Sequence, residues 1–191
     1  MMSAGKLIDA LGRGSAGFSL LELVVVIALI STLVAVAINR LLPYIDEAER
    51  VAVLRVEGQL RSTLMMEAAQ RIVRGQSASL SELEGANPIK FLLEPPKNYV
   101  GERLQREIEQ SPTRRWYYEQ DRHRLVYRLG EPFGLPVHDE STEDPAFEVR
   151  VAFADSNGNG VFEAQREELY GVRLQRVAGA KWLSGANREA H

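Results

Sequence analysis

From Leu23 to Ile38 every side chain is apolar apart from the small hydroxyls of Ser31 and Thr32, and Phe18–Leu21 extends the run towards the N-terminus. With Glu22 included, the stretch 18–42 holds about 25 residues, or about 37 Å of helix at 1.5 Å per residue, enough to cross a hydrocarbon core of about 30 Å. The mean hydropathy of the whole chain is only -0.19. The apolar character is therefore concentrated at one end, and the sequence predicts a membrane helix followed by a water-soluble domain. Lys6, Arg13 and the terminal amine precede the run and are expected to hold its start on the cytoplasmic side, with the rest of the chain across the membrane. No A-x-A-like cleavage site ends the run, which continues instead into a helix-forming segment.

The residues just ahead of the run contain Gly12-x-Gly14-x-x-Gly17, the spacing of a dinucleotide-binding loop. Such a loop follows a buried strand and is followed, about 20 residues later, by an acid for the ribose. Here the preceding segment is short and mixed, and the later position falls on Ala35, Val36 and Ala37. The glycines do not make a nucleotide site.

Instead, "GFSLLELVVVIALISTLVAVAI" closely resembles the N-terminal signature of type IV pilins and type II secretion pseudopilins. The resemblance implies a polar leader ending in Gly17, cleavage between Gly17 and Phe18 by a prepilin peptidase, and N-methylation of Phe18. It also implies that Glu22 serves assembly, its charge meeting the free amine of a neighbouring subunit's Phe18. A carboxylate in an otherwise lipid-facing stretch is costly unless paired, which independently marks Glu22 as functional; the alternative is a Glu wetted at the interface. Other pilin or pseudopilin subunits and an inner-membrane assembly platform are the implied partners. Where many major pilins carry a helix-loosening proline this chain has Asn39, and the nearest proline is Pro43. Pro43 is expected to kink or unwind the helix near the bilayer surface.

The domain layout expected is a leader at 1–17, a membrane and filament-core helix at 18–42, the soluble half of that helix at 43–74, a variable connection at 75–112 and a sheet domain at 113–191. Between Tyr44 and Arg74 good helix formers dominate. Ala48, Ala52, Val56, Leu60, Leu64, Ala68 and Ile72 recur every four residues, a row that drifts about 40° per step, so its early part is expected to face sister subunits and its later part the sheet. The arginines and glutamates of this stretch read as a solvated face of i,i+4 pairs. Residues 75–102 are broken by Gly, Ser, Asn and Pro, with helical turns expected at Ser81–Glu84 and Pro88–Leu93. Strand-like runs follow at Arg114–Glu119, Arg124–Leu129, Phe147–Phe153 and Glu168–Val177, the first two joined as a hairpin. The fold class expected is α+β: a long N-terminal helix packed on an antiparallel sheet of about four strands, the architecture the pilin resemblance also implies.

Other chemistry is sparse. Asp155, Asn157 and Asn159 with Gly160 match the first half of a calcium loop, but its last ligand position holds Arg166, leaving Glu163 or Glu167 to substitute. A plain tight turn explains the same Asn-Gly pairs, and both alternatives stand. His123, His138 and His191 have no ligand spacing, and no nucleophile, base and oxyanion set accompanies them, so no catalytic site is expected. Trp116, Tyr117, Tyr118 and Tyr127 are expected as sheet packing, with an aromatic ligand platform the alternative. The segment His138–Pro145 reads as a solvated acidic loop. A net charge of -3 argues against nucleic acid as a partner. Cysteine is absent, which removes disulfides and thiolate metal sites but leaves the compartment open. The function expected is a structural filament subunit, with a ligand-binding or adhesive tip domain as the alternative; the localisation is the bacterial inner membrane, with a periplasmic C-terminal domain.

Overall fold

A computed structural model describes residues 19–131, 142–156, 158, 162, 167 and 169–185. The chain divides into two compact units, Met1–Leu41 and Leu42–His191. Helix α1 runs over Leu20–Val73. Pro43 lies inside it and the helical assignment is unbroken there, so the unwinding expected at this residue does not occur.

The second unit is the α+β body. Its single sheet has strands β1 (Tyr99–Arg103), β2 (Arg115–Glu119), β3 (Arg124–Arg128), β4 (Ala146–Phe153) and β5 (Leu169–Ala178), in that spatial order. Four of these coincide with the expected runs to within a residue. The fifth, β1, lies in the segment expected as connection, and it pairs parallel to β2, whereas all other pairs are antiparallel. Short helix α2 (Gln105–Ile108) carries the chain from β1 back to the start of β2, and α3 (Ala180–Ser184) follows β5. The hairpin between β2 and β3 turns through His123, whose φ of 52° places it in the left-handed region.

Strands β3 and β4 pair at only two positions, Leu125 with Phe147 and Val126 with Ala146. Beyond that point the connection takes over as partner. Gly85 N–H donates to Val149 O at 2.9 Å, and Glu84 Oε2 accepts from Val151 N–H at 2.6 Å. Backbone groups that would be orphaned on a diverging strand are thus satisfied. The 3-10 turn Ser77–Leu83 drives Leu80 and Leu83 into the core beside them.

Helix α1 covers one face of the sheet with Val53, Leu60, Leu64 and Ala68, which meet Trp116, Leu125, Phe147, Val149 and Leu174 in one buried cluster. The four-residue row drifts as expected: Ala48 and Ala52 are exposed, Leu60, Leu64 and Ala68 buried, and Ile72 exposed again. The charged residues of the helix form the expected solvated face only in part: Glu57 with Arg61 and Glu67 with Arg71 pair one turn apart, but Glu57 and Glu49 turn inward. Glu57 is only 2 % exposed, and its carboxylate receives both arms of Arg176 from β5, Nε at 2.8 Å and Nη2 at 2.7 Å, as well as Arg61 one turn away at 2.8 Å. Burial pushes the Glu57 carboxyl up, but the hydrogen bonds and charges of Arg176 and Arg61 outweigh it and hold it below the usual value. Glu49 likewise faces inward, accepting from Tyr127 Oη at 3.0 Å and pairing with Arg114 at 3.1 Å. Asp46 accepts from Trp182 Nε1 of α3 at 3.1 Å.

Breaking a buried ion pair leaves a charge uncompensated and costs about 3–5 kcal/mol, while an apolar replacement of both partners is near neutral. In a fragment starting at Tyr44, Arg176→Met is expected to lower the unfolding free energy by about 2 kcal/mol, the partial exposure of Arg176 and the remaining Arg61 reducing the loss. Adding Glu57→Leu should recover most of it. Denaturant titration of the two variants checks this, and a double variant less stable than the single one contradicts it.

Candidate functional site

Helix α1 begins where the resemblance places the processed terminus. Ser19 is its N-cap: its carbonyl accepts from Leu23 N–H at 3.1 Å and its hydroxyl oxygen accepts from Glu22 N–H, also at 3.1 Å. The first is the opening bond of the helix ladder, and the second satisfies one of the otherwise unpaired donors at the helix start. Glu22 stands three residues after the cap, where a carboxylate is favoured by the positive end of the helix dipole. The Ser19-x-x-Glu22 spacing before an apolar run is a capping-box pattern that sequence inspection overlooked. Gly17 and Phe18 lie outside the described residues. From Leu20 onward the helix carries an 18-residue window of mean hydropathy 2.8, none of it buried, and Leu20, Leu21, Ile27, Leu29 and Leu33 are all more than half exposed. A helix apolar all round with no protein against it is long and apolar enough to cross a membrane.

A family model described as the prokaryotic N-terminal methylation motif matches residues 12–38. The chain carries a type IV pilin- or pseudopilin-like signature. The match spans the glycines ahead of the apolar run and most of that run, and it supports a pilin- or pseudopilin-type subunit anchored in a membrane. Neither the curated proteins nor the solved structures yield a match.

In the body of this pilin-like chain, the acidic turn after β4 is closed by its own side chains. Asp155 Oδ1 accepts from Gly158 N–H at 2.7 Å. Glu167 is buried, and its Oε1 accepts from Ser156 N–H at 3.0 Å. Asn157, Asn159, Gly160, Glu163 and Arg166 lie outside the described residues. Among the described residues no group of three His, Cys, Asp or Glu could hold a metal ion.

The aromatic residues of the first hairpin are core. Trp116, Tyr117, Tyr118 and Tyr127 are all buried, and Trp116 packs on Tyr127 and Phe147 with centroids 5.0 and 5.9 Å apart. No ligand platform remains in them. His123 is used in the hairpin turn; His138 and His191 lie outside the described residues. Asp144, from the segment expected as a solvated acidic loop, instead caps the end of β3, accepting from Leu129 N–H at 2.8 Å.

A polar cluster that no sequence motif announces fixes β1 to the connection. Asn87 Nδ2 donates to Tyr99 Oη at 2.8 Å and to Glu102 Oε1 at 3.0 Å, while Asn87 Oδ1 accepts from Ile89 N–H at 3.1 Å. Lys90 Nζ lies 2.7 Å from Glu102 Oε1, and Gln120 Nε2 donates to Glu102 Oε2 at 3.1 Å. The hydrogen bond from Lys90, with those from Asn87 and Gln120, holds the Glu102 carboxyl down at about 2. Asn87 and Gln120 come from 15 and 18 positions away, which is why periodicity could not reveal them.

A carboxylate whose pKa is depressed on folding adds stability above its unfolded value, near 4.5, and loses it as pH falls towards about 2. Because the cluster is solvent-screened, Glu102→Gln is expected to cost less than about 1 kcal/mol at pH 7. The wild-type and variant unfolding midpoints should converge between pH 4.5 and 2. Equal midpoints at pH 7 would show that the cluster adds nothing.

Proposed function

We propose that this chain is a prepilin-like structural subunit, cleaved after Gly17, methylated on the Phe18 amine, and assembled through its N-terminal helix into a type IV pilus or a type II secretion pseudopilus. In this proposal residues 1–17 are the leader, 18–42 cross the inner membrane, and the body from 43 onward lies in the periplasm. A prepilin peptidase, an inner-membrane assembly platform and other pilin-type subunits are the partners.

One observation beyond the matched motif carries the proposal. The half of α1 that leaves the apolar run carries exposed large apolar side chains on the side turned away from the sheet, with Glu47, Arg55 and Ser62 among them. At about 100° per residue, Tyr44, Val51, Met65, Met66, Ala69, Ile72 and Val73 share an arc about 120° wide opposite the Val53–Ala68 stripe. Tyr44 is 73 % exposed, Met65 66 %, Met66 65 % and Val73 87 %. A monomeric soluble domain rarely leaves so many large apolar side chains on one side of a helix in water. Packing against neighbouring helices in a filament covers it, and the same contact continues naturally from lipid-embedded to aqueous residues. Glu22 then meets the amine of an adjacent Phe18, which removes both charges from the apolar phase.

The Asp155 turn is proposed as a calcium site within this subunit. Asp155, Asn157, Asn159 and Glu163 have side-chain oxygens to offer, the type calcium takes, and the buried Glu167, which accepts from Ser156 N–H, brings a second described carboxylate to the loop that Asp155 starts.

Intact mass and N-terminal sequencing of membrane-extracted protein, made with and without a prepilin peptidase, tests the processing. Loss of Met1–Gly17 and a methyl group on Phe18 is the expected outcome; an intact leader beside an active peptidase defeats the proposal. Glu22→Val should be processed normally yet enter filaments at least tenfold less well, and normal incorporation would sink the amine pairing. For the turn, calorimetry on the fragment from Tyr44 should show calcium binding at about millimolar concentration or tighter. Absence of both binding heat and a thermal shift removes the metal.

A further inference from the structure

The chain has four methionines and no cysteine, and two of the methionines, Met1 and Met2, belong to the leader. Once residues 1–17 are removed as proposed, Met65 and Met66 carry the only sulfur atoms left. Methionine is ordinarily a filler of gaps in cores. Here both side chains are about two-thirds exposed, and the buried cluster makes no use of either. At about 100° per residue they stand on the two margins of the outer arc of α1, with Ser62 and Ala69 between them. A helix laid along that arc touches both thioethers, one on each flank. Both tryptophans are buried, Trp116 in the sheet core and Trp182 with its indole on Asp46. Among the described residues a two-electron oxidant in water thus meets no thiol, no accessible indole and one pair of accessible thioethers.

We propose that Met65 and Met66 are an oxidant-sensitive modification site: their conversion to methionine sulfoxides by a peroxide makes the outer arc polar and withdraws the subunit from assembly. The inference rests on the assembly face proposed above and adds a chemical control of it. In the step, the thioether sulfur gives an electron pair to one peroxide oxygen, and the S–O bond forms as the O–O bond breaks. Sulfur is oxidised by two electrons and hydrogen peroxide is reduced to water. Each sulfoxide oxygen is a hydrogen-bond acceptor, and under a packed helix, whose backbone N–H groups are already spent, it finds no donor. Because the two flank the arc on opposite sides, a neighbour cannot tilt to free one without pressing on the other. The fold itself is spared, since the core stripe Val53, Leu60, Leu64 and Ala68 lies on the opposite side of the helix. A dithiol-dependent reductase acting on both sulfoxide epimers removes the oxygen as water and restores the face.

In the test, cells making the full chain and its assembly partners are pulse-labelled, exposed briefly to hydrogen peroxide, and the labelled subunit is followed from the membrane into the filament fraction. Mass spectrometry of the tryptic peptide Ser62–Arg71 should show an added oxygen on each methionine, and incorporation should fall at least tenfold. Met65→Leu combined with Met66→Leu keeps the apolar area without sulfur and should incorporate equally well before and after peroxide. Met65→Gln combined with Met66→Gln should incorporate at least tenfold less well with no oxidant present, its circular dichroism matching that of the wild type. A peptide left unoxidised, an oxidised subunit that incorporates normally, or a Leu variant as sensitive to peroxide as the wild type overturns the inference. Val51→Glu, on the same arc, separates the two levels. If Val51→Glu blocks incorporation while peroxide spares the wild type, only the oxidation site fails; if Val51→Glu also incorporates normally, the assembly face fails with it.

Discussion

The buried pairing of Glu57 with Arg176 fixes which way α1 faces, and the rest of the body follows from that choice. Asp46, Glu49, Val53, Glu57, Leu60, Leu64 and Ala68 follow one another at intervals of three or four residues, so they form a single stripe on the helix. The end of the stripe nearer the apolar run is polar and the far end apolar. Each acid meets a donor of matching reach: the Trp182 indole, the Tyr127 hydroxyl with Arg114, and the two arms of Arg176. A rotation of the helix by one residue would strand three carboxylates and expose the leucines. Hydrophobic burial favours the contact, with about 1.5–3 kcal/mol from each buried leucine, and the acids make its orientation unique.

Because that stripe is committed inward, the opposite arc is left to the solvent or to a partner. It is there that Tyr44, Met65, Met66 and Val73 stand exposed. In the proposed function one helix has three environments to satisfy: lipid around its first half, its own sheet along one side of its second half, and a neighbour along the other. The matched methylation motif covers only the first of these.

The sheet closes around the same constraint. β3 and β4 separate after two residue pairs, and the connection supplies Glu84 and Gly85 to the exposed edge of β4. Gly179 is needed at the turn into α3: its φ is +70°, and a Cβ there would come within 2.5 Å of the Pro145 backbone. That turn brings Trp182 back to Asp46 on α1. The C-terminal helix thus belongs to the core, although its five residues give no strong signal in the sequence.

The apolar helix was legible in the sequence because an apolar run of that length is long enough to span a bilayer, and the other four strands were legible as aromatic and β-branched runs bounded by turn signals. Glu22 stood out because a charge among apolar neighbours is costly wherever it occurs. β1 was not legible: "YVGER" is short, contains a glycine at a bulge, and gains its strand conformation only from pairing with β2 and from the Asn87 and Glu102 cluster. Glu49 and Glu57 looked like solvated partners of nearby arginines, since local spacing cannot report a donor arriving from 78 or 119 positions away. Local sequence determined where helix and strands form, because periodicity and propensity act within a few residues. Which side of α1 is core and which acids turn inward were decided only by tertiary structure, through contacts between residues far apart in the chain.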